Sequence, residues 1–157
     1  MTEVVITFRS ERRTPPSVDK LTEMEVYYDF FLGDIALLIG SVRFPYETET
    51  LPLVGFTYSL RSTISELRVQ SSVVLEFPDD GLEWIFHRDL GDDVVVSTNY
   101  ETQCARTTLG ELETAAQLAM CEALEGAEVI LPGFQRGDFA NRMDREFGWR
   151  EWSTRMQ

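Results

Sequence analysis

The chain has one histidine, His87, one lysine, Lys20, and two cysteines, Cys104 and Cys121. Each scarcity removes a class of chemistry. A lone histidine, with no GxSxG and no serine or cysteine motif, leaves no nucleophile–base pair to read. Two distant cysteines without CxxC spacing or a histidine cluster supply no zinc site. Cys121 falls in an apolar helical stretch and reads as a buried free thiol. GxGxxG and the P-loop are both missing, so a nucleotide would lack its phosphate cradle. No apolar run approaches the ~20 residues that span a bilayer, and MTEVVITFRSERR has no long apolar run of the signal-peptide kind. The expectation is a cytoplasmic, reduced protein that needs no cofactor.

Bases are also few. Twenty-seven acids face 14 bases, a net charge of −13. Nucleic acids and anionic membranes need cations opposite them, so both are disfavoured as partners, and a basic protein is favoured.

What the chain does have is enough to fold. It has 157 residues, of which 43% are hydrophobic and 26% charged, values that suit one domain with a sizeable core. EVVITFR (3–9) reads as a strand, followed by a Pro-rich loop over 10–20. MEVYYDFFLGDIALLIGSVRF (24–44) alternates as a β-hairpin turning at Gly33-Asp34, with a second arm apolar on both faces. Leu53, Phe56, Leu60, Ile64 and Leu67 recur at helical spacing after Pro52. Three strands follow, SSVVLEF (71–77), LEWIFHR (82–88) and DVVVSTNY (93–100), joined by PDDG and DLGD turns. A second helix starts at Thr107 or Thr108, with Glu111 completing a capping box, and stops near Gly126.

Residues 135–157 form a tail with five arginines, four acids and the aromatics Phe139, Phe147, Trp149 and Trp152. It docks either on its own domain or on a partner. The RGD at 136–138 has no adhesive meaning without secretion. The order β-β-β-α-β-β-β-α-α predicts an α+β single domain. Its sheet is mainly antiparallel, of about six strands, with two or three helices packed on one face.

FPDDGLEWIFHRDLGDD (77–93) gathers six acids and His87. Alternation puts Trp84 and Phe86 on the core face of the middle strand, and Glu83, Ile85 and His87 on the other. Asp79, Asp80 and Glu83 surround one turn, and Asp89, Asp92 and Asp93 the next. A strand of this length separates the two groups by roughly 20 Å, so they cannot share one ion. EF-hand spacing is absent. Residues 76–101 hold eight acids against Arg88, and 107–135 hold five glutamates and no base. The six acids at the two turns are therefore candidates for binding a basic partner. Tyr27 and Phe31, read as aromatics on a charged strand face, and Trp149 and Trp152 in the tail are the matching candidates for apolar contact.

In length, charge and strand–helix order, the chain resembles the small acidic immunity proteins of bacterial polymorphic-toxin systems. The resemblance implies a non-enzymatic inhibitor that binds a basic toxin domain, often a nuclease, and supplies no catalytic residue. Two other readings stand beside it. One is an adaptor that packs its tail on a larger assembly. The other is a small-ligand domain with His87 near the mouth of a cleft.

Overall fold

The computed structural model describes residues 2–10, 21–28, 30–78 and 80–157, and of these the side chains of Tyr27, Tyr28 and Glu49 are not described. The expected loop over 10–20 therefore falls, apart from Ser10, outside the described residues, as do Asp79 and the side chain of Tyr27.

The fold is α+β and its strands are antiparallel. They form two sheets rather than one. The first contains β1 (Val4–Ser10), β2 (Leu32–Ile39) and β3 (Val42–Pro52), in that order. The second is a meander of β4 (Ser72–Glu76), β5 (Glu83–Arg88), β6 (Asp93–Thr98) and β7 (Cys104–Thr108). Helices α1 (Glu23–Tyr28), α2 (Leu53–Glu66), α3 (Leu109–Ile130), α4 (Asp138–Phe147) and α5 (Trp149–Met156) complete the described elements. A 3-10 turn at Phe134–Arg136 precedes α4. One cluster of buried side chains runs through both sheets and the helices.

The predicted hairpin over 24–44 is corrected in two places. Residues 23–28 are helical, because Thr22 and Glu25 form a capping box: Glu25 accepts from the Thr22 N–H at 2.6 Å, and Thr22 Oγ1 accepts from the Glu25 N–H at 3.2 Å. The turn falls at Gly40 (φ +58°), not at Gly33-Asp34. Gly33 lies inside β2, where a Cβ would sit 2.1 Å from the Arg9 carbonyl oxygen across the sheet. The glycine is there for close approach of β1. Asp34 is buried beside it and pairs with Arg9 at 3.0 Å. The doubly apolar arm is indeed central, with β1 and β3 on either side.

The α2 stripe from Leu53 to Leu67 is buried throughout. Thr108 caps α3 through the predicted box with Glu111. Gly126 does not end α3, which runs to Ile130. It makes room instead: a Cβ there would stand 2.6 Å from the Phe31 ring. β7 escaped the sequence reading because it is short and polar. Its inward residues, Ala105 and Thr107, carry little apolar signal.

An aromatic seam joins the two sheets. Tyr46 of β3 stacks on Phe77, just past β4, with centroids 3.9 Å apart. Phe56 of α2 stacks on Phe77 at 4.9 Å and meets Trp84 of β5 edge-on at 5.9 Å. The polar atoms of the seam are satisfied. Trp84 Nε1 donates to Tyr100 Oη at 2.9 Å, and that hydroxyl donates to the Pro45 carbonyl at 2.8 Å. Burial pushes the Tyr100 phenol above its ordinary pKa, so it stays a donor.

Candidate functional site: the open face of the second sheet

The meander buries one face and leaves the other to solvent. Val73, Leu75, Trp84, Phe86, Val94 and Val96 point into the core. On the outer face Val74 and Ile85 are directly opposed in the register, and Val95 lies on the neighbouring diagonal. This short apolar strip has a carboxylate group at each end, as the two-turn reading requires.

At the β4–β5 end, Glu76 and Glu83 are register partners on the outer face. Neither forms an ion pair with a described residue. Like charges directly opposite one another destabilise a sheet. Asp80 has a structural role instead: it accepts from Tyr46 Oη at 2.8 Å and from the Leu82 N–H at 3.1 Å. At the β5–β6 end, Asp89 pairs with Arg106 at 3.4 Å and Asp92 with Arg88 at 3.7 Å, while Asp93 pairs with no described cation. Arg88 also braces this end. Its Nη1 donates to the Leu67 carbonyl at 2.9 Å, and its backbone N–H donates to Ser71 at 2.7 Å. The α2–β4 turn is thereby tied to the β5–β6 turn. On these two turns stand Val69 and Leu90, 87% and 90% exposed. Sequence reading missed both, because each is a single apolar residue in a polar turn. Arg88 brings the two turns together, a long-range contact that no local pattern announces.

Three of the sequence-predicted aromatic contacts are relocated. Phe31 is buried at 6% exposure, between Phe8 and Phe30, and is no surface aromatic. Its misplacement follows from reading α1 as a strand. Trp149 is 4% exposed, with Nε1 donating to the Ala140 carbonyl at 2.8 Å, so it is a core residue. Trp152 is half-buried against the same core. The tail thus docks on its own domain, α5 against α3. Gln117 of α3 holds it by donating to the Phe147 carbonyl at 3.1 Å.

The acidity of α3 is also mostly structural. Glu111 caps the helix, and bonds from the Thr107 hydroxyl and then the Thr108 N–H hold its carboxyl below the ordinary range. Glu113 takes a two-pronged bond from Arg68 at 2.8 and 2.6 Å. Glu128 accepts from the Gln135 and Gly133 N–H groups, which lower its pKa likewise. Glu122 and Glu125 are left exposed.

His87 is exposed on the outer face, in register with Ser72 and Val95, and bonds to no described residue. No described residue fixes its tautomer, and it lines neither of two open clefts on the surface. Cys104 is exposed and Cys121 buried, both as free thiols. Among the described residues no three His, Cys, Asp or Glu side chains converge as a metal site would require, and no helix is long and apolar enough to cross a membrane. Comparison with family models, with curated proteins and with solved structures found no match to this chain.

Proposed function

We propose that this chain is a non-enzymatic acidic binding protein that captures a basic protein on the open face of its second sheet. It acts in the cytoplasm as an immunity-type inhibitor of a cognate toxin domain. One observation carries the reading. Glu76 and Glu83 face each other and neither is paired with a described cation, an arrangement that costs folding energy. A positive surface docked there turns that repulsion into attraction. Asp93 at the opposite end extends the same field, and the Val74–Ile85–Val95 strip between them offers an apolar centre inside a charged rim. Leu90, next to Asp89 in the chain, and Val69, on the turn that Arg88 ties to it, add exposed apolar anchors.

The reading requires that rim carboxylates speed encounter and that the apolar anchors slow release. Affinity capture from the source cells tests it, with wild type and a Glu76→Gln/Glu83→Gln/Asp93→Asn variant used side by side. Wild type should retain a basic protein that elutes with salt, and the variant should lose it. Equal recovery on both would refute the assignment to this face. Asp80 is left intact because its bonds to Tyr46 and Leu82 make it part of the fold.

A further inference from the structure

A second surface has the opposite charge. An open cleft of about 990 Å³ lies between α1, the 3-10 turn and α4. Its rim includes Arg136, Arg142 and Arg145, against Glu23 and Asp138. In a chain of net charge −13, three arginines on one cleft are a local reversal of sign. Positions 138, 142 and 145 fall on one face of α4, at spacings of four and three. Arg142 is engaged with Glu23 across the cleft, which ties α1 to α4. Arg136 and Arg145 are exposed and form no ion pair with a described carboxylate.

The position of Arg136 is fixed by its surroundings. Glu128 grips the Gly133 and Gln135 N–H groups at 2.9 and 2.8 Å and so shapes the loop that carries the arginine into the cleft. The N-cap of α4 is Gly137, which has no side chain to cap the first-turn N–H groups, and these add positive potential on the same side. Most of the exposed lining is polar, and Val26, Phe134 and Phe139, each nearly buried, supply a small apolar patch at the floor. The volume lies at the upper end for a small-molecule site. An arginine rim over a small apolar patch fits a ligand with two ends. The guanidinium forks match planar or tetrahedral oxyanions, and the patch matches a hydrophobic body.

We propose that this cleft binds a small organic anion, with a carboxylate or phosphate head seated on Arg136 and Arg145 and an apolar body against Val26, Phe134 and Phe139. The site lies on helices outside the second sheet and does not depend on the protein-binding reading.

Calorimetric titration of the full chain with phenyl phosphate, phenylacetate, inorganic phosphate and benzyl alcohol tests it. At least one of the two aromatic anions should bind saturably. Whichever binds should do so more tightly than inorganic phosphate, and benzyl alcohol should not bind. Arg136→Gln and Arg145→Gln should each weaken binding roughly tenfold, since both side chains are exposed and their loss leaves the core intact. The proposal is overturned if neither aromatic anion saturates, if benzyl alcohol binds as well, if inorganic phosphate binds more tightly, or if the Arg136→Gln/Arg145→Gln double variant keeps wild-type affinity.

Discussion

Gly126→Ala should destabilise this protein, although the same change at an ordinary helix position would stabilise it. Alanine is favoured over glycine inside a helix by about 0.8–1.0 kcal/mol. At this position the new Cβ would stand 2.6 Å from Phe31 Cζ, with two more ring carbons at 3.3 and 3.4 Å. A lone ring tip can usually swing aside. This ring cannot do so freely: it is buried, flanked by Phe8 and Phe30 with centroids 6.3 Å away on both sides, and its backbone is held at φ +52°. Overpacking of this kind costs about 1–3 kcal/mol. Set against the propensity gain, the net expectation is a loss of ~1 kcal/mol, or a Tm about 2–4 °C lower for a domain of this size. Urea denaturation followed by circular dichroism measures it. The cause is isolated by Phe31→Leu, which shortens the side chain. In that background Gly126→Ala should turn neutral or stabilising, giving a coupling of about 1–2 kcal/mol between the two sites. A Gly126→Ala protein that is more stable than wild type by the full propensity gain would refute the packing of Phe31 against α3.

Other expectations concern the tail and the acids. Trp149→Ala should cost about 3–5 kcal/mol, because the indole is buried and satisfied by Ala140, and truncation after Phe134 should abolish the cooperative thermal transition. A truncated chain that melts like wild type would restore the tail to the role of a free interface. Glu111 and Glu128 have pKa values below the ordinary carboxylate value, through bonds from Thr107 and from the Gln135 N–H respectively. A lowered folded-state pKa contributes stability above the unfolded-state value near ~4.3, and that stability is lost as pH falls through the folded value. The urea midpoint should therefore drop steeply between about pH 5 and pH 3, and a Glu111→Gln/Glu128→Gln protein should show a shallower drop. Equal slopes would show that these two carboxylates bond no more strongly folded than unfolded.

Local rules carried the reading of the sequence where one signal acted alone. The 53–67 stripe, the Thr108–Glu111 box and the alternation of Trp84 and Phe86 each encode their own outcome. Reading failed where two signals competed. In TEMEVYYDFF the alternation suggested a strand while Thr22-x-x-Glu25 encoded a helix start, and the cap prevailed. Gly33 resembled a turn because a close backbone approach and a positive φ both select glycine. The division into two sheets was not legible at all. It depends on the Tyr46–Phe77–Phe56–Trp84 seam, whose members come from four separate elements or turns. The candidate site was half legible. Its acids were visible as acids, but which were free and which were structural depended on partners such as Tyr46, Arg68 and Arg106.

The most direct measurement is the association rate of the purified chain with the basic protein it captures, taken at low and at physiological salt. Removing Glu76, Glu83 and Asp93 as charges should slow association about tenfold or more at low salt and much less at physiological salt, with dissociation nearly unchanged. Val69→Ala/Leu90→Ala should do the reverse, leaving association alone and speeding dissociation. Association that is indifferent both to these carboxylates and to salt would contradict the acidic face as the binding surface.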